Sequence, residues 1–547
     1  MSAAHVRIPG RVAHLAPYVE AGVLGPAEVH LADWAARSAD GVDPLVVLAL
    51  AMAAWAAQHG HACADLAELE AAVGAEQAER ADGEWVPLAW PVRAEWLAAL
   101  RANPDVVRQA DAVDATAVLD PRPLVLHGQR VYLQRYWADE CAVATSLRQR
   151  AADVAGEATG DAAATLDAVL PRLDDGEPNL QRQAADLVLR NRVSMVVGGP
   201  GTGKTYSVSR LLAVLLEQDP QLRIALAAPT GKAAARLQES IAAALAEPDV
   251  VAHISGPVRT MLAAAVPTTI HRLLGPMGAH QRFRHDAADP LPHDLVVVDE
   301  TSMVSLPLLA RLLEAVRPEA RLVLIGDPDQ LESVELGAVL ADLVQVAVTQ
   351  PAGPLAGRGE RLLRGHRYGG NTPIARFADA VRRGDAPAAL AHLRQGADAD
   401  GSGIRLHATA DPMAPAVLGA VEKVVAPALR RLKAAATAGQ DDKALQAAAE
   451  FRILCAHRRG PFGAADWNRL AERWMCGADG AGAAWFAGRP LLATRNDPRL
   501  GLANGDTGVV VRRDGRLVAV FRTALGVQTF ETVQLEDVET AYAMTIH

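Results

Sequence analysis

The sequence predicts an α/β protein in which parallel β-sheets are flanked by helices and follow a mainly helical N-terminal region. From residue 179 onward, short apolar runs of strand type alternate with helical stretches, which is typical of a parallel sheet with crossover helices. Before residue 179, Ala- and Leu-rich stretches with charges at helical spacing predominate. Between 506 and 540 we expect short strands joined by tight turns, as in a small β-barrel. The 547 residues suffice for roughly three or four domains.

A glycine-rich loop follows the first predicted strand of the α/β region, 194–197, and precedes a predicted helix at 207–216. It matches the phosphate-binding pattern G-x-x-x-x-G-K-[ST] at every position. Its residues are Gly198, Gly199, Pro200, Gly201, Thr202, Gly203, Lys204 and Thr205. Successive backbone N–H groups and the helix N-terminus favour a phosphate chain. We expect Lys204 to reach the β- and γ-phosphates of a nucleoside triphosphate and the Thr205 hydroxyl to bind Mg²⁺.

The scarcity of lysine supports this prediction. The chain has five lysines and 49 arginines, and one of the five is Lys204. A compact ammonium group fits where a planar guanidinium does not, so the use of lysine here indicates a phosphate contact.

Two later predicted strands also end in polar residues. The apolar run 294–299 ends in Asp299 and is followed by Glu300, and two adjacent acids after a buried strand indicate an ion site. We expect Asp299 to hold Mg²⁺ through water and Glu300 to polarise the attacking water. The run 321–326 leads to Gln330, whose neutral amide is expected to sense the γ-phosphate, much as a glutamine orients water in other nucleotide hydrolases.

A fourth predicted strand, 223–228, leads into Thr230 and Lys232 at the start of a helix. A Thr-Gly turn with a lysine is suited to a backbone phosphate of a nucleic acid. An ordinary helix cap with a solvated lysine has the same pattern, so both interpretations stay open.

The charge is unevenly distributed. The net charge is −10, with 13 basic and 25 acidic residues in 1–175 and 41 and 39 in the remainder. The nucleotide-binding region is therefore close to neutral and leaves room for basic patches.

The four cysteines are far apart in sequence, which indicates buried thiols rather than a metal site or disulfides. The longest apolar run, 45–57, is too short for a membrane span, so we expect a core helix at 45–57. No signal peptide is recognisable, so we expect a cytoplasmic protein with no membrane partner.

Two features of the N-terminal region bear on its organisation. Six of the nine tryptophans lie in residues 1–175, where they indicate either core packing or a protein interface. Residues 123–137 predict a β-hairpin that turns at His127 and Gly128.

Taken together, the motifs resemble the ordered set of superfamily 1 helicases, and within them the RecD family, the helicase subunits of RecBCD-type exonuclease V complexes. The segments that carry the resemblance are 198–205, 228–237, 269–275, 299–303 and 326–331. Further agreement lies at 179–181, 365–367, 454–463, 504–508 and 542–547.

The resemblance implies two RecA-like motor domains, at 176–345 and 346–547, after an N-terminal helical subunit-interaction domain at 1–175. It also implies a hairpin at about 276–290 that splits the duplex and an SH3-like insertion at about 506–540. By the same resemblance, individual residues take roles in binding nucleotide and DNA. Gln181 would contact the adenine, Arg367 would reach the γ-phosphate from the second motor domain, and Thr230, Lys232 and His271 would line the single-strand path.

The resemblance further implies an ATP-dependent 5′→3′ DNA helicase that acts in double-strand break repair by homologous recombination. ATP and Mg²⁺ would be its cofactors. Its partners would be single-stranded DNA, duplex ends, and RecB-like and RecC-like subunits.

One departure concerns the last residues. In the family, the motif that begins with Met544 continues beyond the position of His547, and a second catalytic arginine follows, whereas this sequence ends at His547. We expect a fragment or a truncated protein that binds nucleotide and hydrolyses it inefficiently.

Two alternatives remain. The first is a stand-alone RecD-like or conjugation-type helicase of the same superfamily. The second is of another class, a nucleotide-binding regulatory or assembly subunit without unwinding activity.

Overall fold

The structure is a computed structural model that describes residues 7–38, 41–79, 87–114, 117–153, 160–171, 179–278, 282–331, 336–337, 339–350, 352–363, 372–395, 403–477, 484–497, 499–523 and 526–545. The chain forms two compact units. The first comprises Met1–Pro229 and Ser240–Arg367, and the second comprises Thr230–Glu239 and Tyr368–His547.

The helices up to residue 349 are α1 (Ala16–Glu20), α2 (Pro26–Ser38), α3 (Pro44–Gln58), α4 (Leu69–Glu79), α5 (Arg93–Ala102), α6 (Gln134–Ala152), α7 (Gly160–Val169), α8 (Leu180–Arg190), α9 (Lys204–Gln218), α10 (Gly231–Leu245), α11 (Pro248–His253), α12 (Gly256–Ala264), α13 (Ile270–Leu274), α14 (Leu306–Ala315) and α15 (Val339–Thr349). The strands of the first unit are β1 (Cys63–Asp65), β2 (Val107–Gln109), β3 (Leu124–His127), β4 (Arg130–Leu133), β5 (Val193–Gly198), β6 (Ile224–Ala228), β7 (Thr268–Thr269), β8 (Pro276–Met277), β9 (Arg282–Phe283), β10 (Leu295–Val298), β11 (Arg321–Gly326) and β12 (Gly359–Leu362).

The N-terminal region is mainly helical, as the sequence predicts, and also contains a small sheet in the order β1-β4-β3-β2. The predicted hairpin is confirmed in β3 and β4, where His127 pairs with Arg130 and Gly128 adopts a φ of 63°. Its second strand is shorter than expected, because α6 begins at Gln134. Helix α3 is the predicted core helix, and the positions from Val46 to Ala56 are all buried.

Most of the described N-terminal tryptophans pack inside the protein. Trp55, Trp96 and Trp137 are buried, whereas Trp34 is 47% exposed. Trp85 lies outside the described residues. Core packing therefore accounts for most of this tryptophan enrichment.

The first unit is built around a six-stranded sheet in the order β12-β5-β11-β10-β6-β7, and every pairing in it is parallel. The four strands predicted from apolar runs are confirmed as β5, β6, β10 and β11. All residues of β5 and β10 are buried. Helices cover such a sheet on its faces, which explains the continuous apolar runs.

Helix α6 ties the N-terminal region to this sheet. Val143, Leu147 and Ala151 belong to the same apolar core as β5, β10 and β11. Arg150, only 3% exposed, donates hydrogen bonds to the carbonyl oxygens of Val316 at 2.6 Å and Ala320 at 2.9 Å. Burial lowers the pKa of Arg150 to about 10, and the carbonyl oxygens compensate in part for its lost hydration.

The second unit contains helices α16 (Pro373–Arg382), α17 (Ala386–Gln395), α18 (Pro415–Thr437), α19 (Asp441–Ala449) and α20 (Ala464–Cys476). Its strands are β13 (Ile453–Cys455), β14 (Pro490–Ala493), β15 (Thr507–Arg513), β16 (Arg516–Thr523), β17 (Gly526–Glu531), β18 (Val538–Thr540) and β19 (Ala543–Thr545). The segment Thr230–Glu239, which contains the first residues of α10, also belongs to it.

The short strands expected between 506 and 540 form an antiparallel sheet in the order β17-β16-β15-β14-β18. Asp514 and Gly515, with φ of 48° and 79°, make the tight turn between β15 and β16. Within the described residues, β17 and β18 are not paired with each other, so the sheet is open where a barrel was expected. Strand β14, from outside the expected segment, completes it. The name SH3-like stays a prediction.

We predict that Arg150→Met lowers the free energy of unfolding by about 2–4 kcal/mol, because it leaves buried carbonyl oxygens without a donor. Thermal and urea unfolding of the protein measure the effect. The control is Arg148→Met, which changes an exposed residue of the same helix and is expected to alter stability by less than about 0.5 kcal/mol. Equal effects of the two substitutions would contradict the assigned role of Arg150.

Candidate nucleotide-binding site

The parallel sheet brings three polar loops to one edge. Strand β11 lies between β5 and β10, with Val197 paired to Gly326 on one side and Val298 paired to Leu324 on the other. All three strands run in the same direction, so the loops that follow their carboxyl ends are neighbours. This is the edge at which ligands bind in open α/β sheets.

The glycine-rich loop adopts a backbone that requires glycine. Gly201 and Gly203 have φ of 78° and 85°, and Gly203 immediately precedes α9. Thr202 closes the loop by donating its hydroxyl hydrogen to the Gly199 carbonyl oxygen at 2.9 Å. The first turn of α9 is fixed by Ser207, whose hydroxyl donates to the Gly203 carbonyl oxygen at 2.8 Å. Pro200 is exposed between these anchors.

Gly198 is required for a second reason. A Cβ atom at this position would lie 2.6 Å from the Leu362 carbonyl oxygen and 2.7 Å from Thr202 Oγ1. Strand β12 therefore packs directly against the start of the loop, with room only for a hydrogen atom on Gly198.

Lys204 points its ammonium group back into the loop. Nζ donates to the carbonyl oxygens of Gly198 and Gly199, the latter at 3.1 Å. Thr205, the next residue, is half-buried in the first turn of α9. The loop thus places the Lys204 ammonium beside the N-terminus of α9. Both the ammonium charge and the helix N-terminus stabilise a bound anion.

Asp299 is a buried carboxylate at the end of β10. It is 7% exposed, and burial raises its pKa to about 6, while the Lys204 ammonium acts in the opposite direction. Asp299 follows β10 and Lys204 follows β5, and both strands pair with β11, so the two residues lie at the same edge of the sheet. The Asp299 Oδ1 atom accepts a hydrogen bond from the Glu300 backbone N–H at 2.9 Å.

Glu300 has a left-handed backbone, with φ of 52° and ψ of 42°. Among the described residues, the only other non-glycine residue with positive φ is Asp514, in a hairpin turn. This conformation is uncommon for a side chain with a Cβ atom and costs of order 1–3 kcal/mol. The backbone is therefore strained at Glu300, where the chain turns sharply after Asp299.

The loop after β11 carries Gln330, which is exposed. Gln330 Nε2 donates to the carboxylate of Asp327 at 3.1 Å. Asp329, on the same loop, forms an ion pair with Arg361 of β12. Sequence reasoning missed Asp327 and Arg361. Asp327 stood inside the recognised motif, whereas no local pattern marks Arg361.

Gln181 lies at the start of α8 and contacts the glycine-rich loop. Its Nε2 atom donates to the Thr202 carbonyl oxygen at 3.3 Å. Asn179 caps the helix by accepting hydrogen bonds from the backbone N–H groups of Gln181 and Arg182, both at 3.1 Å. This cap fixes Gln181 beside the loop.

The residues predicted to bind DNA are not all in one unit. Thr230 and Lys232 belong to the second unit, and His271 belongs to the first. Lys232 has its pKa lowered by burial and by the positive charges of Arg236 and Arg452.

His271 is exposed in α13, and its ring centroid lies 5.9 Å from that of Phe283 in β9. The expected hairpin near 276–290 is present as antiparallel β8 and β9. Arg367, the remaining predicted site residue, lies outside the described residues.

Comparisons with known proteins support the interpretation of these motifs. A family model described as an AAA domain matches residues 181–336, and one described as the N-terminal domain of RecBCD enzyme subunit RecD matches residues 20–132. No helix in the described part of the chain is long and apolar enough to cross a membrane.

Curated relatives match over nearly the whole chain. The RecBCD enzyme subunit RecD of Mycolicibacterium smegmatis is 44% identical over 96% of this chain and 86% of its own length. Its namesake in Mycobacterium tuberculosis is 42% identical over 96% of this chain and 84% of its own length. The ATP-dependent RecD2 DNA helicase of Deinococcus radiodurans is 29% identical over 76% of this chain and 49% of its own length. Because the similarity covers the N-terminal region as well as the nucleotide site, this chain belongs to the RecD family of superfamily 1 helicase subunits.

Proposed function

We propose that this protein is the motor subunit of a RecBCD-type helicase and nuclease, and that it hydrolyses ATP to unwind DNA in the 5′→3′ direction during double-strand break repair by homologous recombination. One observation carries the proposal: the parallel pairing of β5, β11 and β10 brings the glycine-rich loop with Lys204 and the buried Asp299 carboxylate to the same edge of the sheet. A phosphate-binding lysine beside an acid at a strand end is the arrangement that binds magnesium and ATP in P-loop hydrolases.

The residues near Asp299 fit a magnesium ion. An ionised carboxylate that is only 7% exposed is poorly hydrated and gains from a nearby cation. Magnesium commonly takes one or two protein oxygens together with phosphate oxygens and waters, which Asp299 and the Thr205 hydroxyl could supply. Among the described residues, no group of three or more His, Cys, Asp or Glu side chains is arranged to hold a metal ion, so phosphate and water oxygens would supply the remaining ligands. When bound, the ion would neutralise charge on the β- and γ-phosphates.

The other site residues have distinct proposed roles. Lys204 holds the β- and γ-phosphates, Gln181 contacts the adenine, and Glu300 accepts a proton from the attacking water. Arg367 stabilises the charge that develops on the γ-phosphate. Gln330 orients the attacking water.

We further propose a domain organisation and a DNA path. The N-terminal domain spans 1–175, and the two motor domains span 176–345 and 346–547. Thr230, Lys232 and His271 contact the backbone of the single strand, and the β8–β9 hairpin separates the duplex. RecB-like and RecC-like subunits are the proposed protein partners, because the two similar mycobacterial proteins are named as subunits of that enzyme.

The alternative of a stand-alone helicase is less well supported. The match to RecD2 leaves about half of that protein uncovered, whereas the match to the mycobacterial RecD subunit covers 86% of it. The alternative of a regulatory subunit without motor activity is tested by the hydrolysis experiment below.

We predict that Lys204→Gln lowers DNA-stimulated ATP hydrolysis by at least about 100-fold in the full-length protein, because it removes the charge that stabilises the transferred phosphoryl group. Phosphate release in the presence of single-stranded DNA measures this. Lys443→Gln, which changes an exposed lysine of α19, is the control and is expected to hydrolyse ATP at the wild-type rate. Absence of DNA-stimulated hydrolysis in the wild-type protein, both alone and with its partner subunits, would favour the regulatory alternative.

A second prediction concerns Asp299 in protein free of metal and nucleotide. Its pKa is raised from 3.8 to about 6 in the folded chain, so the ionised carboxylate destabilises the fold above that pH. Asp299→Asn is therefore expected to raise the free energy of unfolding by about 3 kcal/mol at pH ~8. This gain should shrink as the pH falls through about 6 toward 4, because the folded wild type then binds a proton before the unfolded chain does.

Chemical denaturation in EDTA at several pH values tests this expectation. Asp329→Asn changes an exposed carboxylate of the neighbouring loop and serves as the control. A stability gain for Asp299→Asn that is the same at pH ~8 and pH ~5 would show that burial of this charge is not its cause.

A third prediction concerns the DNA path. Lys232→Ala should weaken binding of single-stranded DNA and reduce the slope of log affinity against log salt concentration by about one ion, since one phosphate contact is lost. Fluorescence anisotropy over a salt series measures both quantities, with Lys423→Ala, an exposed lysine of α18, as the control. An unchanged salt slope would exclude a phosphate contact by Lys232.

A further inference from the structure

Asp327 is a buried acid on the loop that carries Gln330. It directly follows β11, the strand between β5 and β10, and is only 2% exposed. A buried carboxylate has to be compensated by hydrogen bonds or charge. Its partners therefore indicate why an acid occupies this position.

Both carboxylate oxygens of Asp327 accept hydrogen bonds from the same loop. Oδ1 accepts from the Asp329 backbone N–H at 3.1 Å, and Oδ2 accepts from Gln330 Nε2 at 3.1 Å. The Gln330 backbone N–H donates to the Asp327 carbonyl oxygen at 3.2 Å, which closes the turn.

These contacts determine which way the Gln330 amide faces. An ionised carboxylate has no hydrogen to donate, so only the nitrogen of the amide can lie against it. The oxygen, Oε1, must then occupy the other side of the amide group. Gln330 is exposed whereas Asp327 is buried, so the nitrogen faces the interior.

The Gln330 loop makes two further contacts, one with β12 and one with the turn after β10 that contains Asp299 and Glu300. Arg361 of β12 pairs with Asp329, the residue between the two partners. A Cβ atom on Gly326 would lie 3.1 Å from the Ser302 nitrogen and 3.2 Å from the Thr301 nitrogen. The start of the Gln330 loop is therefore in close contact with the residues that follow Glu300.

We propose that Asp327 is a positioning residue that fixes the Gln330 amide with its oxygen outward, so that Gln330 serves as a hydrogen-bond acceptor for the attacking water rather than as a donor to the γ-phosphate. This inference rests on the ATP hydrolysis proposed above. In that step the water oxygen bonds to the γ-phosphorus while the bond from this phosphorus to the β–γ bridging oxygen breaks. One water proton passes to Glu300 and the other stays hydrogen-bonded to Gln330 Oε1, and the products are ADP and phosphate.

Asp327→Asn tests the proposal because it keeps the turn and reverses the polarity toward Gln330. Asn Oδ1 can still accept from the Asp329 N–H, but Nδ2 presents a donor, which only the oxygen of the Gln330 amide can accept. We expect kcat of the full-length protein on single-stranded DNA to fall about 10- to 100-fold, the range that misplacement of a reacting group commonly costs. The affinity for magnesium and ATP should change by less than about twofold, because the contact acts in the transition state.

A double-mutant cycle separates positioning from a purely structural role. Gln330→Ala should lower kcat to a similar extent, and adding Asp327→Asn to Gln330→Ala should lower it by less than about twofold more. Glu319→Gln, which changes an exposed acid of the turn before β11, is the control and should leave kcat within about twofold of the wild type. If Asp327→Asn does not fold, the cycle is run with Asp327→Ser, whose hydroxyl keeps an acceptor for the turn but is too short to reach Gln330 Nε2.

Two results would overturn the inference: an unchanged kcat in the Asp327 variant, or a full further loss when that change is added to Gln330→Ala. Its failure is distinct from failure of the proposed function. If hydrolysis by the wild type does not depend on Lys204, both the proposed function and the role of Asp327 are wrong. If hydrolysis depends on Lys204 but Asp327 and Gln330 are not coupled, only the role of Asp327 is wrong.

Discussion

The parallel pairing of β11 with β5 on one side and β10 on the other positions the three loops of the nucleotide site that follow these strands. Gly326 is paired with Val197 and Leu324 with Val298, so the three strands end within a few residues of one another at the same edge of the sheet. Because β11 is hydrogen-bonded along both edges and is buried from its second residue onward, it cannot slip without unpairing and exposing its apolar side chains. The glycine-rich loop, the acidic turn and the Gln330 loop thus share one rigid base.

This arrangement requires a buried carboxylate at Asp299 and a strained backbone at Glu300. Asp299 is held in a setting that raises its pKa to about 6, and Glu300 adopts a left-handed backbone immediately after it. Neither feature stabilises the fold. Both place carboxylate groups at the edge of the sheet that also carries the glycine-rich loop, which is what binding and hydrolysis of a triphosphate require, and strain of this kind is common at functional sites.

The N-terminal region is structurally continuous with the nucleotide-binding sheet. Helix α6 contributes Val143 and Leu147 to the core of that sheet, and Arg150 holds carbonyl oxygens just before β11 begins. Any partner that binds the N-terminal region would therefore contact a body that also contains the ATP site. A domain boundary at 175 divides the sequence by composition, while the apolar core crosses it.

The sequence alone determined the local chemistry of this protein. The glycine positions, Lys204, the acids after an apolar strand and the strand locations all follow from backbone and side-chain requirements within a few residues, and such requirements leave a local pattern. The tertiary structure decided the strand order that places β11 between β5 and β10, the insertion of α6 into the core, and the hydrogen bond that orients Gln330. Strand order and helix packing depend on pairings between distant segments, and the Gln330 hydrogen bond depends on the fold of its loop, so local hydrophobic periodicity specifies none of them.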